Sequence, residues 1–194
     1  NNISQVNASK LWSLICKNLF LKIFEQNLIN EYPLYKKYIF ILGMGKIGVK
    51  DLNFTSDIDI IIFFDSKNSP YKIYDFNQSV KKLISDISNI SLNFFHKIDL
   101  RLRPDLGNSY IITDIENAKE YYSSVGRNWE RLAFHRSQFM GGSILLYNSF
   151  IFSIRSFLFR RSFDYYAIDE IKNLFSQKLT SNTLDIKNSF GYIR

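Results

Sequence analysis

The chain has 194 residues, 46% of them hydrophobic and 22% charged, the balance of a folded protein with a core rather than of a disordered tail. One cysteine and two histidines exclude a disulfide framework, a cysteine cluster and a histidine-rich zinc site. The formal charge of +7 is compatible with nucleic acid or another polyanion, but it is spread without a block of five or six like charges and argues only weakly for one; no apolar run nears the ~18 residues of a membrane span.

The opening Asn1-Asn2 carries no signal-peptide pattern, and a cytoplasmic protein cut from something longer is expected. Leu11, Trp12, Ile15, Leu19, Phe20 and Ile23 recur at helical spacing and predict an amphipathic helix over 8–29, with Cys16 as a small core residue and Pro33 closing the segment. Residues 38–42 form a short buried strand that runs into Gly43-Met44-Gly45-Lys46-Ile47-Gly48. A second, very apolar strand covers 55–64, followed by a polar loop with Pro70 and a helix over 74–88 that carries Phe76, Val80, Leu83, Ile84 and Ile87. From His96 to Arg103 the alternation is strict: Ile98, Leu100 and Leu102 on one side, Asp99, Arg101 and Arg103 on the other, until Pro104 ends the strand. Helices are predicted over 114–123, 128–140, 144–159 and 165–177. The whole reads as a helical lead-in (1–36), an α/β core (37–142) and a helical extension (143–194).

The second strand opens Thr55-Ser56-Asp57-Ile58-Asp59. Residues i and i+2 of a strand share a face, so both carboxylates would leave one side of the sheet together. Two such charges beside a core repel unless a cation lies between them, and hard oxygen ligands select Mg²⁺ before zinc. Asp99 supplies a third carboxylate. If its strand lies beside the first, the three converge, which suits two metal ions about 3.5–4 Å apart in an in-line phosphoryl displacement. Arg101 and Arg103 would then counter phosphate charge. Taken alone, the 96–103 segment is an ordinary polar sheet face; with the aspartate pair it reads as a site.

The Gly43-x-Gly45-x-x-Gly48 run after a strand also matches the dinucleotide fingerprint, with Asp65 near the distance of a ribose ligand. Residues 49–56 are too few for a crossover helix, however, and that fold has no need of two carboxylates at the start of its second strand. Backbone N–H groups and Lys46 cradling phosphate suit either reading. In Gly126-Arg127-Asn128-Trp129-Glu130-Arg131, the pattern reads Glu130 and Arg131 as a solvated helix face and Trp129 as core. Arg160-Arg161 near a helix end suit its dipole.

Together these segments resemble the bacterial glutamine synthetase adenylyltransferase/adenylyl-removing enzyme family. The segments concerned are Gly43–Gly48, Leu52-Asn53-Phe54-Thr55-Ser56-Asp57-Ile58-Asp59, Asp99-Leu100-Arg101-Leu102-Arg103-Pro104 and Gly126–Arg131. Order and spacing hold from residue 38 to 142, and a weaker likeness runs through Phe159-Arg160-Arg161 and Asp185-Ile186-Lys187 to Gly191-Tyr192-Ile193-Arg194. The resemblance implies a DNA-polymerase-β-like nucleotidyltransferase core with a mixed sheet flanked by helices, and Mg²⁺, two ions, as cofactor. ATP or ADP and phosphate would be substrates or products, and glutamine synthetase the partner, with a PII-type signalling protein as a further one. An adenylyl group would move on or off a tyrosine, regulating nitrogen assimilation. The loop, the Leu-Asn-Phe lead-in and the Gly126–Arg131 segment look more like the N-terminal half, which removes AMP by phosphorolysis and releases ADP, than like the ATP-using half. Asp57, Asp59 and Asp99 would be the catalytic, metal-holding residues. Gly43, Gly45, Lys46, Gly48, Ser56, Arg101 and Arg103 would bind nucleotide or phosphate. Val49 replaces a glycine usual in the family, residues 188–192 replace a glycine-rich stretch, and the chain stops before the family's acidic segment. A binding module without turnover and an RNA-acting nucleotidyltransferase are the alternatives.

Overall fold

The two most apolar runs of the sequence form the centre of the sheet. Strand β1 (Ile39–Gly43) pairs antiparallel with β2 (Ile58–Phe64), placing Ile39 opposite Phe64 and Gly43 opposite Ile60. The computed structural model describes residues 5–90, 97–107 and 109–159. The predicted helix over 165–177, the Arg160-Arg161 pair, His96 and the C-terminal likeness lie outside them. Two short strands, β3 (Ile98–Asp99) and β4 (Thr113–Asp114), pair parallel with the start and the end of β2. Strand β5 (Gln138–Gly142) joins antiparallel to β1, so the path runs β3-β2-β1-β5 in a mixed sheet.

Every residue of β1 is buried and every second one faces the same side. Ile39 and Ile41, with Ile58, Ile60, Ile62 and Phe64 of β2, meet Phe20, Phe24 and Leu28 of α1 (Gln5–Leu28) and Phe76, Val80, Leu83 and Ile87 of α4 (Ile73–Ile90). Phe40 and Leu42, with Ile61 and Phe63, meet the opposite layer. That layer holds α5 (Ile115–Ser124), α6 (Asn128–His135), α7 (Ile144–Ser153) and α8 (Arg155–Leu158). Full burial of each such side chain is worth about 1.5–3 kcal/mol, so two packed faces hold a sheet in which β3 and β4 are only two residues long. One-turn helices α2 (Tyr35–Tyr38) and α3 (Gly45–Gly48) flank β1. The N-termini of α5 and α7 are fixed by side-chain caps: Asp114 Oδ1 accepts from the Asn117 N–H at 3.0 Å, and Ser143 Oγ from that of Leu146 at 3.3 Å.

Several expectations need correction. The antiparallel β1–β2 pair, joined by one helical turn and a loop, rules out the parallel crossover of a dinucleotide fold. Asp65 is instead a turn-former, accepting from the N–H of Asn68 at 3.1 Å and from its amide at 2.8 and 3.0 Å. In helix α1 the expected stripe holds at Phe20 and Cys16, with Trp12, Leu19 and Ile23 packed at its edge, but fails at Leu11 and Ile15. Cys16, Phe20, Phe24 and Leu28 are buried, whereas Leu11 and Ile15 are exposed. The helix predicted over 128–140 ends at His135, and β5 follows. The one over 144–159 breaks at Ile154.

Candidate functional site

Asp59 sits in β2 directly in register with Asp99 in the parallel neighbour β3. Their sequence neighbours Ile58 and Ile98 belong to the core shared with α1 and α4, so alternation turns both carboxylates toward the opposite face. Adjacent strands run ~4.8 Å apart, which puts the two side chains side by side. Asp57 stands one residue before β2, outside the strand predicted to include it; it is half-buried like Asp59. The hydrogen bond from Ile58 N–H to the Lys97 carbonyl, 2.7 Å, locks the start of β2 to the start of β3.

Asp99 is 5% exposed, and Arg101 neutralises it. The Arg101 Nε lies 3.0 and 2.9 Å from Oδ1 and Oδ2, Nη2 lies 2.5 Å from Oδ2, and the Arg101 backbone N–H donates to Oδ1 at 2.8 Å. This side-chain grip on its own backbone is a turn, and it ends the strand at Asp99. The strand predicted to run to Arg103 is therefore two residues long. The Arg101 hydrogen bond is the main force holding the Asp99 carboxyl below its usual range, against the opposing effect of burial. Conversely, Asp99 raises the Arg101 pKa by hydrogen bond and charge, and Asp57 and Asp59 add to it at smaller magnitude. One guanidinium thus feels all three carboxylates.

Arg103 does not share the face of Asp99 as alternation predicted. Its Nε donates to the Tyr110 carbonyl at 3.1 Å and its Nη1 to that of Leu100 at 2.8 Å, closing the loop between β3 and β4. Leu100 packs on the α1/α4 core and Leu102 on the other one, a second sign that the alternation stops. Arg101, Arg103, Asp105, Tyr110 and Thr113 are among the residues lining a cavity of about 310 Å³ beside this turn.

The glycine loop closes the other side. The Met44 N–H donates to the Asp59 carbonyl at 2.8 Å. Gly45 has φ +56°, and a Cβ there would stand 2.9 Å from Asp59 Oδ2, so both conformation and space call for glycine beside the carboxylate. At Gly48 a Cβ would fall 2.1 Å from the Arg136 carbonyl oxygen, making this glycine a backbone crossing point; Gly43 abuts Met140. Lys46 Nζ donates to Ser56 Oγ at 3.0 Å, and that hydroxyl, 5% exposed at the residue level, donates in turn to Asn53 Oδ1. Val49 has φ −96°, open to any residue, so the backbone conformation does not call for glycine there.

Asp57, Asp59 and Asp99 offer only carboxylate oxygens, the donor set of a hard divalent cation rather than zinc. Among the described residues no three such groups are gathered closely enough to enclose an ion. In this conformation the oxygens of Asp99 are bound to Arg101, a monovalent cation in the position a metal would contest. The donor chemistry fits Mg²⁺.

Glu130, on a helix face that the sequence pattern gives to solvent, is 3% exposed. It accepts from the Tyr121 hydroxyl at 3.0 and 3.1 Å and from the Arg127 N–H at 2.7 Å, the glutamate half of a capping box at the start of α6. The spacing of three from Arg127 to Glu130 was the available signal. Trp129 and Arg131 are half-buried.

Residues 7–151 match the model of the family described as glutamate-ammonia ligase adenylyltransferase. The chain is similar to proteins named bifunctional glutamine synthetase adenylyltransferase/adenylyl-removing enzyme. It is 33% identical to that of Agrobacterium fabrum and 34% to that of Rhizobium meliloti, each over 142 residues, covering 70% of this chain and 14% of the relative. With the Bartonella henselae protein it shares 31% identity over 160 residues, 79% of this chain and 16% of the relative. The chain thus spans about one-seventh of the length of these curated relatives.

Proposed function

This chain belongs to the glutamate-ammonia ligase adenylyltransferase family, and on that premise we propose that it removes AMP from an adenylylated tyrosine of glutamine synthetase by Mg²⁺-dependent phosphorolysis. ADP is the product, and regulation of nitrogen assimilation in the cytoplasm the outcome, with a PII-type protein as effector. The observation that carries the reading is the register of Asp59 with Asp99 beside Gly45. A sheet whose neighbouring positions are otherwise apolar keeps two carboxylates side by side where a glycine lets the backbone come close.

Asp57, Asp59 and Asp99 are the residues that would hold Mg²⁺, one or two ions, which when bound neutralise charge on phosphoryl oxygens. Lys46 and Ser56, already hydrogen-bonded to each other, place an ammonium and a hydroxyl beside the Asp57 strand entry to orient phosphate oxygens. Gly45 leaves room for the substrate phosphate near Asp59, as a side chain would not. Arg101, 82% exposed at its side chain, supplies a guanidinium to the incoming anion. An oxygen of inorganic phosphate bonds to the adenylyl phosphorus as its bond to the tyrosine oxygen breaks in line. The proton of the attacking phosphate ends on the tyrosine hydroxyl, so ADP and unmodified tyrosine result. Arg103 holds the β3–β4 loop in shape through two carbonyls and acts as a positioning residue.

The names of the relatives give a second reading, transfer of AMP from ATP onto the tyrosine, in which Asp99 would accept the tyrosine proton. Incubating the chain with adenylylated glutamine synthetase, phosphate and Mg²⁺, and in parallel with the unmodified enzyme and ATP, separates the two. ADP release in the first arm is expected. AMP incorporation in the second with no ADP in the first would establish the transferase reading instead.

A further inference from the structure

Arg101 stands between two sets of groups. On one side its guanidinium grips both oxygens of Asp99 in a two-pronged pair. On the other it lines the 310 Å³ cavity between β3 and β4. Besides Arg101, two features give that cavity the chemistry of an oxyanion subsite. Arg103 lines it and is pinned by the Leu100 and Tyr110 carbonyls, so a second guanidinium is fixed at its wall. Thr113, also in the lining, is 1% exposed, and its hydroxyl has no hydrogen-bond partner among the described residues. A buried hydroxyl left unpaired is costly, and an acceptor entering the cavity would satisfy it. Asp105, the carboxylate in the lining, already accepts the Gly107 N–H at 3.1 Å.

We infer that Arg101 is shared between Asp99 and a subsite for inorganic phosphate in this cavity, so that cation binding at the aspartates and phosphate binding in the cavity favour each other. The inference rests on the proposed reading that Asp57, Asp59 and Asp99 hold a divalent cation. A divalent cation and a guanidinium compete for the same Asp99 oxygens. When the cation takes them, the fork of Arg101 is released beside a cavity it already lines, and that fork matches two phosphate oxygens. Phosphate that draws Arg101 away removes the competitor from Asp99, and linkage makes the two effects equal. The arrangement deepens the phosphorolysis reading, because the attacking anion would bind well only once the cation is in place.

The test uses the intact chain, with Mn²⁺ followed by its electron paramagnetic resonance signal and phosphate by calorimetry. Wild type should bind Mn²⁺ about fivefold or more tightly in saturating phosphate, beyond the association of the two ions measured without protein. Arg101→Gln should bind Mn²⁺ more tightly than wild type without phosphate and lose the coupling. Arg101→Lys, which keeps the charge but not the fork, should reduce it. Thr113→Val should weaken phosphate several-fold while leaving Mn²⁺ affinity in its absence, and the melting temperature, unlowered. Arg101 variants with wild-type coupling, or Thr113→Val with wild-type phosphate affinity, would overturn the inference. Coupling seen with ADP but not with phosphate would assign the cavity to a nucleotide phosphate and likewise overturn it. Asp59→Asn keeps the two failures apart: unchanged Mn²⁺ affinity sinks the aspartate reading itself, whereas weakened Mn²⁺ with unaltered Arg101 variants sinks only the sharing.

Discussion

Asp99 at the end of β3 and Glu130 in the first turn of α6 are both buried carboxylates, and the chain neutralises them in different ways. Glu130 is met by neutral donors, the Tyr121 hydroxyl and a backbone N–H, both fixed by the helices that carry them. Asp99 is met by a full charge on a side chain that is 82% exposed and attached only two residues away. Burying an anion is costly without a partner in either case. A fixed neutral partner makes the carboxylate part of the architecture, whereas a solvent-facing cation can be exchanged for another. Asp99, and not Glu130, lies in register with a further carboxylate, Asp59. The contrast distinguishes a helix cap from a candidate site without appeal to relatives.

Replacing each carboxylate by its amide should have the largest effect. Asp59→Asn and Asp99→Asn should each lower turnover of adenylylated glutamine synthetase by about 10²-fold or more, read as ADP released. Glu130→Gln should leave turnover within a few-fold of wild type. Near-normal ADP release by either aspartate variant would refute their roles. On stability the order reverses: Glu130→Ala leaves the Tyr121 hydroxyl and the Arg127 N–H without their acceptor, and should cost about 1–3 kcal/mol, read in a denaturant melt.

The acid limb of stability sharpens the contrast further. The Asp99 carboxyl is held below its usual range by Arg101. A depressed carboxylate contributes stability that is fully present above its unfolded value of ~3.9 and is lost as pH falls through its lower folded value. The stability difference between wild type and Arg101→Gln should therefore be constant above about pH 4 and should shrink below it. A difference that stays flat to the acid end would remove Asp99 as its source. The smallest effect belongs to Tyr121→Phe, about 1 kcal/mol for one hydrogen bond. Burial and Glu130 push the Tyr121 hydroxyl up to about 12, so it stays a donor throughout the neutral range.

Sequence patterning disclosed the parts of this fold where one force acts alone. Strands β1 and β2 and helix α4 are legible because burial on both faces, or on one, writes a clean apolar period. The 98–103 segment misled because its alternation continues after the strand has stopped. Asp99 accepting the Arg101 N–H turns the chain, and Arg103 spends its guanidinium on two carbonyls. Neither effect leaves a trace in hydropathy. Strand β5 was hidden by Gly141 and Gly142, residues that argue against a strand by propensity but let it pass close to Leu21 and the β1 backbone. Of the site, the adjacency of Asp59 and Asp99 was foreseeable as a conditional on strand pairing. The capture of Asp99 by its own chain neighbour was not, since it depends on a turn two residues long.

The most direct measurement is a crystal structure of the chain soaked with Mn²⁺, read from anomalous scattering. Manganese bound by Asp59 and Asp99 is expected, with the Arg101 guanidinium withdrawn from Asp99 toward the β3–β4 cavity. Arg101 still paired with Asp99, and no manganese on either aspartate at saturating concentration, would contradict it.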